Sequence, residues 1–265
     1  MAEPLTLMAV HAHPDDEASG GGILATYADQ GIRTVVVTCT NGEYGDAPGG
    51  IKPGQPGHDP EAVARLRLAE LEESARILKV SDVETLGYHD SGMEEWEYKA
   101  RPDAFCNVPL DVVSGRIGEL IAKYRPQVLV TYDDQGAYQH PDHVHASRAA
   151  QAAAAATGIP KLYLSTMRGS SWRKIWEALR AAGAEVPAWE DDEERTRRAL
   201  QSEERITTTI DIRPVLERKR EALFAHGTQI NGDSWFGKIP PEIVEEAFGY
   251  EYFIRVADTT GAPLP

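Results

Sequence analysis

Short apolar runs alternate with longer amphipathic segments along residues 5–165. The runs at 5–10, 34–40, 83–86, 127–131 and 161–165 are rich in β-branched residues and have the length of buried strands. The segments between them, at 20–30, 61–79, 110–124 and 142–156, have a helical pattern, which is clearest where apolar residues recur from 113 to 124. Strands that alternate with helices predict the α/β class, with a mostly parallel sheet flanked by helices.

Residues 166–265 have a less regular pattern. Strand-like runs at 206–212 and 252–256 enclose a helical segment at 214–226. We therefore expect a single domain over residues 1–265, made of a Rossmann-like core (1–165) and a C-terminal αβ elaboration (166–265) that walls the pocket. The length of 265 residues is at the upper end for one α/β domain.

Ionisable side chains are concentrated where the first strand ends. Residues 11–17 read His-Ala-His-Pro-Asp-Asp-Glu, and glycines at 20–22 follow before the next helical segment. Open α/β sheets bind ligands at the carboxyl ends of their strands, and grouped carboxylates are costly to bury without a cation. The motif favours a metal site over a solvated acidic turn. His11 is a rival ligand to His13, and we expect it to be a supporting or buried side chain.

A second cluster of ionisable residues follows the strand at 127–131. Residues 132–145 include His-Pro-Asp-His at 140–143, which opens an alanine-rich helical segment. Parallel strands present their carboxyl ends at one edge of the sheet, so the two clusters can converge on one ion. His143 and His145 are two residues apart on a helix, so only one of them can face that ion. The helix start favours His143 and leaves His145 as a surface or packing residue.

These two clusters resemble the signatures of the PIG-L/LmbE-like zinc deacetylases. The family's Ala-His-Pro-Asp-Asp-Glu strand end and distant His-Pro-Asp-His are both present, at 12–17 and 140–143. Weaker matches at 40–43, 67–71, 90–93 and 225–230 extend the resemblance over most of the chain. The details are similar to the branch that acts on mycothiol S-conjugates and on N-acetylglucosaminyl-inositol. Glycines at 20–22 stand where the conjugate amidases carry a lysine, which argues against the full conjugate as substrate.

The resemblance implies one zinc ion per chain, with three ligands: His13, Asp16 and His143. It implies four catalytic residues: Asp15, Tyr138, His140 and Asp142. In these roles Asp15 is the general base, Tyr138 and His140 stabilise the oxyanion, and Asp142 orients His140. Two imidazoles and one carboxylate leave a tetrahedral zinc ion one open position for water. The same ligands accept iron(II), and the general acid can be Asp15 or His140.

Three further residues have two interpretations each. Glu17 either orients a ligand imidazole or interacts with a helix dipole. Arg67 lies off the apolar stripe of its helix and reads as a salt-bridged surface residue, but the resemblance makes it, with Asp90, a substrate-binding residue. Asp90 follows a strand-like run and precedes Ser-Gly, a polar loop suited to accepting hydrogen bonds from sugar hydroxyls.

Composition limits the partners and the compartment. The formal net charge of −15 disfavours nucleic acid. Two cysteines are too few for a disulfide framework, and the N-terminus has no secretory signal pattern. No apolar run is long enough for a membrane span. We expect a cytoplasmic enzyme with a small amino-sugar substrate, and the sequence leaves homo-oligomerisation open.

The leading functional hypothesis is hydrolysis of an N-acyl bond on a glucosamine-type substrate, such as a mycothiol-type conjugate or its N-acetylglucosaminyl-inositol precursor. The first alternative is deacylation of another N-acetylglucosamine compound or of a glycosylated secondary metabolite. A non-catalytic sugar-binding module would be missing a base or a ligand, and this chain has the full set. A phosphoesterase would bind two metal ions, because carboxylate-rich sites at sheet edges also hold metal pairs.

Overall fold

One seven-stranded sheet runs through the described part of the chain, which a computed structural model gives as residues 5–93, 96–181, 183, 193–230, 239 and 241–261. The strands in chain order are β1 (Thr6–His11), β2 (Arg33–Thr40), β3 (Asp82–Tyr88), β4 (Val128–Tyr132), β5 (Lys161–Thr166), β6 (Thr208–Asp211) and β7 (Tyr250–Asp258). Their order across the sheet is β3-β2-β1-β4-β5-β7-β6. The first five strands are parallel, and β7 is antiparallel to both of its neighbours. The predicted α/β class is confirmed.

Helices connect and cover these strands. They are α1 (Asp16–Ser19), α2 (Gly21–Asp29), α3 (Pro60–Leu78), α4 (Leu110–Tyr124), α5 (Gly136–Gln139), α6 (Pro141–Thr157), α7 (Gly169–Ala181), α8 (Glu193–Glu204), α9 (Leu216–Ala225) and α10 (Pro241–Phe248). Their ends follow local chemistry. The Asp59 side chain accepts hydrogen bonds from two backbone N–H groups at the start of α3, where Pro60 takes the first position. Gly158, with φ 70°, ends α6.

Two apolar layers cover the two faces of the sheet. On one face, Met8 and Val10 of β1 pack with buried residues of α4 and α6. On the other face, Leu7 and Ala9 pack with buried residues of α2, α3 and α9. All six residues of β1 are buried, as expected for a central parallel strand covered on both sides. Among the described residues, no helix combines the length and apolarity needed to cross a membrane.

The order of the strands determines where a ligand can bind. From β1 the chain continues outward to β2 and β3, whereas β4 and β5 extend the sheet from the other side of β1. The direction of winding therefore reverses between β1 and β4, which pair with Leu7 opposite Val128. Open α/β sheets bind ligands in the crevice beyond the carboxyl ends of strands at this switch point. Both ionisable clusters of the sequence begin at these strand ends.

The C-terminal strands complete this sheet. Strands β6 and β7 and helix α9 match the sequence patterns at 206–212, 252–256 and 214–226. The Glu251 carboxylate of β7 accepts hydrogen bonds from the backbone N–H groups of Gly22 and Ile23, at 2.8 and 2.7 Å, at the first turn of α2. Residues 182, 184–192, 231–238, 240 and 262–265 of the expected elaboration lie outside the described residues.

Candidate metal and catalytic site

Three side chains from the two clusters converge at the switch point. His13 Nδ1 lies 3.2 Å from His143 Nε2. Asp16 Oδ2 lies 3.4 Å from His13 Nδ1, and Asp16 Oδ1 lies 3.3 Å from His143 Nε2. Ligands on a tetrahedral ion with bonds of about 2.0–2.1 Å are about 3.3 Å apart. The three side chains therefore have the spacing and the chemistry of a zinc ligand set.

Two of these candidate ligands, Asp16 and His143, have partners that fix their orientation. The Tyr132 hydroxyl donates to Asp16 Oδ2 at 2.7 Å, and its ring stacks on His143 with centroids 4.3 Å apart. His143 Nδ1 lies 3.2 Å from the carbonyl oxygen of Gly136, so an N–H there leaves Nε2 free to bind metal. Burial lowers the pKa of His143 to about 4, so the imidazole is neutral at pH 7, as a metal ligand must be.

The second ring nitrogen of His13, Nε2, lies beside two further carboxylates. His13 Nε2 lies 3.1 Å from Asp142 Oδ2 and 3.6 Å from Asp90 Oδ1. Burial would lower the pKa of His13, but Asp90, Asp142 and Asp16 together raise it well above 6.5. The site thus attracts positive charge. A metal ion at Nδ1 would satisfy that attraction in place of a proton.

The contacts of the Asp142 carboxylate are with His13 and Ser91 rather than with His140, the expected partner. We expected its carboxylate to orient His140, but that carboxylate contacts His13 and accepts hydrogen bonds from Ser91, from the backbone N–H at 2.9 Å and from the hydroxyl. His140 is linked to Asp142 through the backbone instead, because its Nδ1 accepts from the Asp142 N–H at 3.2 Å. The reason is geometric. Ser91 in the loop after β3 holds the carboxylate on the His13 side of the site.

The Ser91 hydroxyl gives a first prediction. We expect Ser91→Ala to weaken zinc affinity by about 10-fold, because outer-layer partners of metal ligands contribute about 10- to 100-fold and the Ser91 N–H still holds Asp142. Zinc affinity measured by competition with a chromogenic chelator tests this. Ser147→Ala is the matched control, since this buried hydroxyl donates to the Tyr132 carbonyl at 2.8 Å. Equal affinities for the wild type and Ser91→Ala would contradict the prediction.

Asp15 is directed away from Asp16 by an unusual backbone conformation. Its φ of 127° is one that residues other than glycine rarely adopt. Its carboxylate accepts a hydrogen bond from Arg67 Nη2 at 2.9 Å. Burial raises the pKa of Asp15 to about 6, although Arg67 opposes this shift. A carboxylate that is ionised at pH 7, with a pKa raised toward that value, suits a general base.

Arg67 is a buried residue rather than a surface one. Its guanidinium donates to the carbonyl oxygens of Gly42 at 2.7 Å and Pro14 at 2.6 Å, as well as to Asp15. A Cβ atom at Gly42, where φ is 65°, would collide with this guanidinium, so the close approach requires glycine. The contacts of Arg67 hold the signature turn. Its predicted binding of substrate remains a prediction, as does that of Asp90, whose Oδ1 accepts the Gly92 N–H at 2.7 Å.

The two predicted oxyanion residues lie beside the ligand set. His140 is buried, and donor atoms of His13, His140 and His143 lie within 4.8 Å of one another. Burial, together with the neighbouring imidazoles, lowers the pKa of His140 to about 2, so it is neutral. Because Nδ1 accepts a hydrogen bond, the ring proton is on Nε2, which can donate. Tyr138 is 44% exposed and lies edge-on to His143, with ring centroids 5.0 Å apart.

Glu17 lies in the first turn of α1, the second of its two expected positions, and does not orient a candidate ligand imidazole. It is fully buried, and its Oε1 lies 2.6 Å from His226 Nε2 rather than near a ligand imidazole. Burial would raise the pKa of Glu17, but His226 and Ser74 lower it. His11 is buried edge-on against the Tyr132 ring. Its two nitrogens have no hydrogen-bond partner among the described residues.

Sequence reasoning assigned no role to Tyr132, Ser91 or His226. Tyr132 is the last residue of β4 and Ser91 follows Asp90, so both lie within motifs that the sequence did single out. Their positions beside ligating motifs were the available signal. His226 lies in the weaker match at 225–230, and nothing in its neighbours pointed to a buried carboxylate partner.

Comparisons with known proteins show what this chain is similar to. The sequence matches the family described as PIG-L: GlcNAc-PI de-N-acetylase over residues 8–154. It is 37% identical to the 1D-myo-inositol 2-acetamido-2-deoxy-alpha-D-glucopyranoside deacetylase of Acidothermus cellulolyticus, over 96% of this chain and 89% of that protein. It is 32% identical to the mycothiol S-conjugate amidase of Streptomyces coelicolor, over 100% and 96% of the two chains.

A solved structure shares the fold at lower identity. The N,N'-diacetylchitobiose deacetylase of Pyrococcus horikoshii aligns with a TM-score of 0.64 and 18% identity, over 97% of this chain and 88% of that one. At this identity the likeness concerns the fold alone.

Proposed function

Because this chain belongs to the PIG-L family of GlcNAc-PI de-N-acetylases, we propose that it hydrolyses the N-acyl bond of a glucosamine-type substrate with one zinc ion. The observation that carries this proposal is that His13 Nδ1 and His143 Nε2 lie 3.2 Å apart and that each lies 3.3–3.4 Å from one of the two carboxylate oxygens of Asp16. Such a ligand set leaves an open position, which distinguishes catalytic from structural zinc sites. When bound there, zinc would lower the pKa of a water molecule and polarise the amide carbonyl.

The protein side chains supply the proton transfers of this reaction. Asp15, held by Arg67, accepts a proton from the attacking water. The neutral Nε2–H of His140 can donate a hydrogen bond to the oxygen that gains negative charge, and the Tyr138 ring lies edge-on to that of His140, with centroids 5.9 Å apart. Amide cleavage also requires that the departing nitrogen gain a proton. Asp15 can return the proton that it has accepted, so that water and amide give a carboxylic acid and an amine.

We further propose N-acetylglucosaminyl-inositol or a mycothiol-type conjugate as the substrate. Relatives with both names align over nearly the whole chain, at 37% and 32% identity. The four carboxylates near the ligand imidazoles, Asp15, Asp16, Asp90 and Asp142, disfavour an anionic group at the reacting end of the substrate. A neutral acetamido sugar fits that electrostatic environment.

The test is an assay of released amine. The purified zinc-loaded chain is incubated separately with N-acetylglucosaminyl-inositol, a mycothiol S-conjugate and N,N'-diacetylchitobiose. We expect amine release from at least one of the first two substrates, at a kcat/KM above that for diacetylchitobiose, and loss of release when a chelator removes the metal. Release from diacetylchitobiose alone would overturn the substrate assignment. No release from any of the three would overturn the proposed function.

A further inference from the structure

The backbone of Asp15 adopts its conformation only through contacts with other parts of the chain. A φ of 127° with ψ of −24° is rarely populated by residues with a side chain. Such conformations persist where the surrounding structure determines them, and they concentrate at functional sites. At this position the conformation separates two adjacent carboxylates. Asp16 faces the ligand imidazoles, and Asp15 faces Arg67.

Two sets of hydrogen bonds hold this turn. Arg67 Nη2 donates to Asp15 Oδ2 and to the Pro14 carbonyl, which fixes the side chain and the preceding peptide. On the other side, the backbone N–H of Asp15 donates to Glu17 Oε2 at 3.0 Å. The position of the Glu17 carboxylate therefore determines where the Asp15 N–H points, and with it the rotation about the Asp15 backbone.

Glu17 is in turn held by its second oxygen. Oε1 accepts a hydrogen bond from the Ser74 hydroxyl at 2.5 Å and contacts His226 Nε2 at 2.6 Å. Glu17, Ser74 and His226 are all fully buried. His226 follows the last residue of α9 and is 209 residues away from Glu17 in sequence, so it connects that helix to the signature turn. The Glu17–His226 pair thus lies directly behind the proposed base.

From this arrangement we infer that His226 is a positioning residue for the reaction, which acts by fixing Glu17 and, through it, the backbone of Asp15. The inference rests on the proposed function only for its kinetic consequence. A buried carboxylate and imidazole contribute little to stability when compared with well-packed apolar residues. Glu17 accepts the hydrogen bond from the Asp15 N–H. An apolar pair could not fill this role, because only an acceptor can orient that N–H.

The kinetic test compares two substitutions at one position. His226→Leu removes the contact to Glu17, and we expect kcat to fall by about 10- to 100-fold, while KM and zinc content stay at wild-type values. His226→Gln keeps an N–H donor, and we expect it to restore most of kcat. An unchanged kcat in His226→Leu, or a zinc content that falls with kcat, would overturn the inference.

A control separates positioning from general stability. Lys219 lies on the same helix α9 and pairs with the buried Glu251 at 2.7 Å, without touching Asp15 or Glu17. Lys219→Met also removes an ion pair, and we expect it to lower the melting temperature but to leave kcat unchanged. A fall in kcat as large as that of His226→Leu would show that loss of stability is sufficient and would overturn the inference.

A structural readout does not depend on turnover. Crystal structures of the variants should show Asp15 φ outside the positive range in His226→Leu, and near the wild-type value in Lys219→Met and His226→Gln. If His226→Leu does not fold, His226→Ala removes the same contact to Glu17 and should shift Asp15 in the same direction, and an unmoved Asp15 there would overturn the inference. If the wild type turns over none of the three substrates, the proposed function fails, and these structures alone decide the positioning role.

Discussion

Asp15→Asn is expected to reduce kcat by about 10²- to 10⁴-fold and to leave the zinc content at one ion per chain. A positioned general base contributes about that much to a rate, and Asp15 is not one of the three converging ligands. Asparagine keeps the shape of the side chain and tolerates positive φ better than most residues. Arg67 retains its two carbonyl acceptors on Gly42 and Pro14, so its guanidinium is not left without partners. Steady-state kinetics and metal analysis of the purified variant test this.

Asp46→Asn is a closely matched control for this substitution. The side chain of Asp46 is 26% exposed and that of Asp15 is 25% exposed, and each pairs with one basic residue, Lys52 or Arg67. The side chain of Gln229 forms hydrogen bonds to the backbone N–H and carbonyl of Asp46. The Asp46 carboxylate pairs with Lys52, which is not one of the proposed ligands. We expect a wild-type kcat for the control. If Asp15→Asn retained a wild-type kcat, or if it lost zinc, the assignment of Asp15 as base would be wrong.

The meeting of the two motifs could be predicted because it depends on topology alone. Each motif follows a buried strand, and parallel strands end at one edge of the sheet. The periodic segments from 61 to 156 were also sufficient to predict the helices now assigned as α3, α4 and α6. These features follow from local patterns of apolar residues and from a general rule of sheet topology, and the confirmed fold class rests on the same reasoning.

The orientation of side chains within the site could not be predicted in the same way. Asp15 and Asp16 are adjacent, and spacing gives no reason for one to face the imidazoles and the other to face Arg67. That choice depends on the backbone rotation at Asp15, which Glu17 and His226 hold from elsewhere in the chain. The partner of Asp142 was wrongly predicted for a related reason. The family resemblance assigned the Asp142 carboxylate to His140, whereas Ser91 holds that carboxylate on the His13 side.

The orientation of the buried carboxylates favours a bound cation beside His13. Asp16, Asp90 and Asp142 all raise the pKa of His13, so their combined field favours a cation at this position. Arg67 balances only Asp15 directly. An ion at the three donor atoms would supply positive charge on the side of the site where Arg67 does not reach. Metal binding should therefore stabilise the folded chain as well as activate it.

His143→Gln is expected to abolish both the activation and the stabilisation of the chain by the metal. The variant lacks the His143 Nε2 atom, which lies 3.2 Å from His13 Nδ1 and 3.3 Å from Asp16 Oδ1, so zinc affinity should fall by more than the roughly 100-fold upper limit for outer-layer partners. In the wild type, zinc at 100 times its dissociation constant should add about 2.7 kcal/mol to the free energy of unfolding. In the variant at the same zinc concentration, that increment should disappear along with amine release. Thermal unfolding with and without a chelator measures the increment independently of turnover.

His145→Gln controls for the loss of an imidazole from the same helix. His145 lies two residues along α6 from His143 and packs edge-on against Phe105, with ring centroids 5.0 Å apart. We expect this variant to keep the zinc-dependent increment in unfolding free energy, because all three proposed ligands remain. If the chelator lowered the stability of His143→Gln as much as that of the wild type, the ion would have to bind without His143. The proposed site, with His13 and Asp16 as the other two ligands, would then be incorrect.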